Sequence, residues 1–90
     1  MIDCGVAVNP DQVKAQTEGN VVMGLSAALK NSITMVDGKI QETNFHLFTP
    51  LRINETPKTE VHIIQNDEEP SGVGEPGLPP LAPALCNAIF

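Results

Sequence analysis

The residues best suited to chemistry lie in Gly72-Val73-Gly74-Glu75-Pro76-Gly77-Leu78-Pro79-Pro80, where Glu75 is the single ionisable side chain among glycines and prolines. Glycine admits backbone conformations closed to other residues and lets a ligand approach the main chain. Proline fixes its own φ and holds the residue before it extended. Glu75 precedes Pro76, so the direction in which its carboxylate leaves the backbone is constrained. A carboxylate held in this way suits a group that must point at something. A loop carboxylate taken alone is more often a solvated turn residue, and both readings stand at this point.

Gln16 offers both a donor and an acceptor on one side chain; its default reading is an exposed helical residue. His46 and His62 stand alone in sequence and read as ordinary hydrogen-bonded or exposed histidines. Met23 and Met35 read as core filler. Cys4 and Cys86 form no C-x-x-C and have no histidine at ligand spacing, so a zinc site is not expected. They read as two small buried apolar residues, with one disulfide as the other possibility.

The elements that must position these groups can be read in outline. Ile2 to Val8 is a short apolar stretch interrupted by Gly5, predicted as a strand and then a turn. Asn9-Pro10-Asp11-Gln12 starts a helix: a capping side chain, proline at the first helical position, an acid at the positive end, and a glutamine able to close a capping box. The helix is predicted to reach about Lys30, with Val13, Thr17, Val21 and Leu25 as its apolar row, widened by Val22, Met23 and Leu29. Gly19 and Gly24 inside it cost about 1 kcal/mol each, which points to close packing, a kink or a ligand at the backbone. Ser32–Val36 and Lys39–Thr43 around Asp37-Gly38 predict a hairpin with Met35 opposite Ile40. Phe45–Phe48 and Leu51-Arg52-Ile53 are predicted to be extended, and Glu60–Gln65 to be a strand. Residues 66–79 are a loop. A last helix starts near Pro80–Pro83 with Leu81, Leu85 and Ile89 on one stripe. It gives about two turns and stops on Ile89-Phe90 without a glycine cap or a basic last turn, so a continuation or a cut is expected.

Ninety residues allow one domain, 1–90, with a modest core and no room to enclose a large cofactor. Eleven acidic against five basic residues give a net charge of −6. Nucleic acid is thereby excluded as an expected partner, because phosphate neutralisation needs clusters of Lys and Arg. Asp67-Glu68-Glu69 reads as a solvated charge run. No signal peptide follows Met1, and no apolar run approaches membrane-spanning length. The compartment stays open between cytoplasm and periplasm.

Several short motifs together resemble one family. Asp3-Cys4-Gly5-Val6-Ala7-Val8-Asn9-Pro10 resembles the D-C-G-x-x-x-N-P segment of the large subunit of molybdenum hydroxylases. Gln16-Thr17-Glu18-Gly19 resembles its Q-x-E-G segment, and Gly72-Val73-Gly74-Glu75-Pro76 its G-V-G-E-P loop. Leu51-Arg52-Ile53-Asn54-Glu55 and Ala84-Leu85-Cys86-Asn87-Ala88-Ile89-Phe90 are similar to the bacterial members. Within the xanthine dehydrogenase/aldehyde oxidase family, the chain is most similar to the isoquinoline 1-oxidoreductase and aldehyde-oxidoreductase type. The resemblance covers essentially the whole chain and places it at the C-terminal end of a subunit many times longer. Two positions depart from the pattern: Asn20 stands where a second glycine is common, and Thr17 where a larger apolar residue is common.

The resemblance implies hydroxylation of an aldehyde or an N-heterocyclic aromatic carbon with oxygen from water. It implies that Glu75 is the base taking a proton from a molybdenum-bound hydroxyl, and that Gln16, Val73 and Gly74 lie against the pterin cofactor. A glutamate in water is a weak base, with a pKa of about 4.3, and an apolar, water-excluding pocket makes it a better one; for that role Val73, Leu78 and Leu81 are the candidate walls. It assigns no metal ligand to this chain. Molybdopterin is expected in the parent enzyme and not in the isolated chain. The implied partners are the rest of the molybdopterin subunit, an iron–sulfur subunit, and a small aromatic heterocycle or aldehyde as substrate. The expected fold is α+β: a long N-terminal helix on a small, mostly antiparallel sheet, closed by a short C-terminal helix, as a fragment of a larger molybdopterin-binding domain. The alternative is a stand-alone, non-catalytic remnant that acts as a protein-interaction module.

Overall fold

The computed structural model describes all residues from Met1 to Phe90. Helix α1 spans Pro10–Leu29. Its start follows from the sequence: the Asn9 side chain accepts from the Gln12 N–H, Pro10 occupies the first turn, and Asp11 lies near the positive end. Strands β1 (Met35–Val36) and β2 (Lys39–Ile40) form an antiparallel hairpin in the expected register, Met35 opposite Ile40. Asp37 and Gly38 both take positive φ, 49° and 75°, as a two-residue hairpin turn demands. Helix α2 spans Leu81–Ile89. Pro83 is tolerated there because it falls in the first turn, where N–H groups have no helical acceptor. No helix is long and apolar enough to cross a membrane.

The α+β class holds, with differences inside it. Neither helix packs on the hairpin; α1 packs on α2 instead. The stretch from Ile2 is held at a single parallel bridge to Ile63, in which the Ile2 N–H donates to His62 O and the Ile64 N–H to Ile2 O. Phe45–Phe48 is turned rather than extended, because Asn44 captures the chain: its side chain accepts from the Phe45 N–H and its carbonyl from those of Leu47 and Phe48. Residues 52–55 also turn, because Glu55 accepts from the Arg52 N–H at 2.8 Å.

The covered face of α1 runs through Val13, Asn20, Gly24 and Ser26. Thr17, Val21 and Leu25 are half-buried, while Met23 and Leu29 are exposed. Met23 and Met35 are therefore not core filler, at 61% and 66% exposure. Cys4 is buried, but Cys86 is exposed on α2, and both thiols are free. The reason is general: little of the apolar surface of this chain is covered by the chain itself. Its accessible surface is 6969 Å², whereas a compact monomer of this mass would expose about 5,100 Å². Its radius of gyration is 16.2 Å, against about 12 Å for a compact chain of this length.

Segment 51–56 is fastened to the C-terminal end of α1. The buried Ser26 hydroxyl donates to Val22 O at 2.7 Å and accepts from the Leu51 N–H at 2.8 Å. Lys30 donates to Glu55. That bond first, and the Arg52 N–H second, hold the Glu55 carboxyl below the ordinary glutamate value. A depressed pKa contributes stability that is complete above the unfolded value and lost as pH falls through the folded one. The pair is part-exposed, so the effect is small and shrinks with salt. A carboxyl-carbon NMR titration is expected to place Glu55 below an ordinary glutamate, and Lys30→Gln to move the midpoint upward. A midpoint insensitive to Lys30 would refute the attribution.

Candidate functional site

The chain closes its two ends on each other through Gly5. Its φ is +69°, and a Cβ there would run into the backbone carbonyls of Glu68 and Glu69, the former at 2.6 Å. Asp3 braces the approach, its Oδ1 accepting from the Gly5 N–H at 3.2 Å and from Asn66 Nδ2 at 2.8 Å. The Val6 N–H donates to Glu68 O and the Ser71 N–H to Cys4 O. These bonds deliver the 72–78 loop onto the start of α1.

From there the loop follows one row of α1, spaced i, i+4, i+8. Gln16 Nε2 lies 3.6 Å from where a Cβ on Gly74 would stand. Asn20 comes next, its Cβ 3.2 Å and its Nδ2 3.0 Å from the corresponding position at Gly77. Gly24 is last, and the Leu81 side chain fills the space a side chain at 24 would need. Where the helix presents a long amide the loop has glycine, and where the helix has glycine the second helix inserts leucine. This packing accounts for Gly24. Gly19 has nothing near it, so close packing is not its reason.

Glu75 sits between the first two contacts, in a turn closed by the Leu78 N–H donating to Glu75 O at 3.0 Å. Its side chain is exposed. The apolar enclosure expected of Val73, Leu78 and Leu81 is not formed. Leu81 is engaged with Gly24, Leu78 is 36% exposed, and Val73 lines a neighbouring cleft. That cleft, about 430 Å³, is bounded by Cys4, Val8, Gln12, Val13 and Gln16 on one side and by Pro70, Ser71 and Val73 on the other. The structure thus brings Gln16, Val73 and Gly74 together, with Glu75 following directly in the same loop. Glu18 is exposed.

Asn20 was legible in the sequence only as a departure from a motif. In the structure it is 9% exposed, and its Nδ2 is buried without a hydrogen-bond partner. The spacing of Gln16, Asn20 and Gly24 on one helical row was the available signal. It was obscured because polar and small residues do not register as an apolar stripe.

Comparison with known proteins places these features. The family described as a molybdopterin cofactor-binding domain matches residues 1–57; the Glu75 loop lies beyond that match. A membrane-bound aldehyde dehydrogenase (pyrroloquinoline-quinone) of Gluconacetobacter polyoxogenes is 42% identical over 100% of the chain, which covers 12% of that protein. The isoquinoline 1-oxidoreductase subunit beta of Brevundimonas diminuta is 39% identical over 98% of the chain and 11% of its own length. A crystal structure of Cu,Mo-CO dehydrogenase superposes on 97% of the chain and 12% of its own, with a TM-score of 0.84 and 26% identity. The chain therefore spans about an eighth of the relatives it matches.

Proposed function

Because the chain belongs to the molybdopterin cofactor-binding domain family of the molybdenum hydroxylases, we propose that it supplies one wall of the active site of such an enzyme, with Glu75 as the base. The observation that carries this reading is the convergence of Gln16 and the Glu75 loop, from opposite halves of the chain, on one face of α1. The reaction proposed is hydroxylation of an N-heterocyclic aromatic or aldehyde carbon with oxygen from water. The quinone in the name of the Gluconacetobacter protein is not carried over, because the family matched is defined by molybdopterin.

The residues present fit a pterin. The amides of Gln12 and Gln16 border the cleft and offer both donors and acceptors. Gly74 leaves free the space beside Gln16 that a side chain would enter. Gln16, Val73 and Gly74 would hold the cofactor's edge. The molybdenum cofactor, when bound, supplies the redox change and activates the oxygen of water.

The work of this chain is then acid–base. Glu75 accepts a proton at a carboxylate oxygen as the carbon–oxygen bond forms, and returns it to solvent after turnover. Its turn keeps the carboxylate in place: Pro76 restricts Glu75, and the 75–78 hydrogen bond closes the loop behind it. Efficient proton transfer needs water kept away. Since Glu75 is exposed on this chain, the remainder of the subunit supplies that cover, and an iron–sulfur subunit receives the electrons. The test is Glu75→Gln in the assembled enzyme, with molybdenum content and turnover measured on the same sample.

The exposed surface favours a second reading, a non-catalytic module that docks on another polypeptide. Metal analysis and a hydroxylase assay of the purified 90-residue chain are expected to show neither stoichiometric molybdenum nor activity, because the cleft is open and Glu75 uncovered. Either one present at stoichiometric level would overturn the view that the chain needs the rest of the subunit. An adjoining reading frame that encodes the missing domains would favour the subunit segment over the module.

A further inference from the structure

The row beneath the Glu75 loop contains one residue that this reading does not use. Asn20 is 91% buried, yet its amide nitrogen has no partner. A buried donor left unpaired is costly to stability, and a glycine or alanine at this position would remove the cost. The side chain does occupy a specific place: its Cβ and Nδ2 stand 3.2 and 3.0 Å from where a Cβ on Gly77 would be. Both distances are short enough that an alanine at 77 could enter only if Asn20 or the turn moved.

We propose that Asn20 is a positioning residue for Glu75. It is the spacer on which the Glu75–Leu78 turn rests, and its height sets how far the carboxylate stands from α1. Two further positions on the same row flank it: Gly74 faces Gln16, with space for a methyl between them, and Leu81 fills the space over Gly24. Between those positions, the segment that carries Glu75 touches α1 at Gly77, over Asn20. Asn20 and Gly77 are accordingly an interlocked pair: a bulky residue on the helix, none on the turn. The inference rests on the assignment of Glu75 as the base and adds the residue that fixes where the base is.

The experiment uses the assembled, molybdenum-loaded enzyme with Asn20→Ala, Gly77→Ala and the double variant. Turnover, KM, molybdenum content and hydrogen exchange across residues 74–81 are read on each. Gly77→Ala is expected to lower kcat roughly threefold to tenfold, below the loss of about a hundredfold that a 1 Å misplacement brings, with KM and molybdenum content unchanged. Asn20→Ala is expected to lower kcat less and to speed exchange at the Leu78 amide. In the double variant only the Cβ of residue 20, 3.2 Å from the Cβ at 77, is left to crowd it, so kcat is expected to recover part of the way toward that of Asn20→Ala alone.

Losses that simply multiply in the double variant would overturn the proposal, since residues without contact act independently. Loss of molybdenum in step with activity would also overturn it, by showing a role in holding the domain together. The base assignment fails separately, if Glu75→Gln keeps its turnover. In that case the exchange rates still report whether Asn20 and Gly77 are coupled.

Discussion

Glu75→Gln is expected to lower kcat by about 10²- to 10⁴-fold, the span associated with losing a general base, while molybdenum and pterin stay bound. The amide has nearly the volume of the carboxylate. The turn is closed by backbone, with the Leu78 N–H on Glu75 O, so the substitution leaves the loop as it is. What changes is that the side chain can no longer take a proton. KM is expected to hold, because a carboxylate in the proposed role would act on the reacting oxygen and not on the substrate's remote parts. Glu75→Asp keeps the base but shortens its reach, and an intermediate loss of roughly 10- to 100-fold is expected. Turnover of Glu75→Gln at the wild-type rate, on a sample with full metal content, would end the assignment.

Gly5→Ala is expected to be the most damaging small substitution in the chain, costing about 2–4 kcal/mol. Two penalties coincide there. A φ of +69° is strained for alanine, and the new methyl would meet the carbonyls of Glu68 and Glu69. The backbone must yield, and what yields is the junction that delivers the 72–78 loop to α1. Loss of catalytic competence should follow, through displacement of Glu75 and not through any contact of residue 5 with substrate. Gly38→Ala is the control. Its φ of +75° carries the first penalty without the second, because nothing lies within 4 Å, and it should cost only about 1–2 kcal/mol. The apparent unfolding midpoint and the yield of assembled enzyme measure both. Equal effects at the two glycines would show that the crowding at Gly5 is unimportant.

The surface of the chain explains why an isolated reading of its side chains misleads. Phe45 and Ile53 are 88% and 95% exposed, and neither is part of the site. Apolar residues normally report where the core of a domain is. Here many of them report where other polypeptide is expected to lie, roughly 1,900 Å² of surface beyond that of a compact monomer. The same lack of cover leaves Glu75 in solvent. The role of base proposed for it therefore requires a cavity of which this chain would build one wall.

Signals that act over a few residues were legible in the sequence. Asn9-Pro10 starts α1, Asp37-Gly38 turns the hairpin with Met35 on Ile40, and the Gly/Pro loop isolates Glu75. Each is governed by dihedral limits and by hydrogen bonds within about four residues. The pattern of Phe45–Phe48 and of Leu51-Arg52-Ile53 reads as extended, but the chain turns from Phe45 and again from Arg52, because the side chains of Asn44 and Glu55 capture backbone N–H groups. Tertiary structure alone decided that α1 rests on α2 rather than on the hairpin, that Gly74 meets Gln16, and that Asn20 is buried under Gly77. Those contacts join residues far apart in the chain and depend on matching a bulky group to an empty space. Linear spacing records which residue types are present, and only the folded backbone decides which of them share a surface.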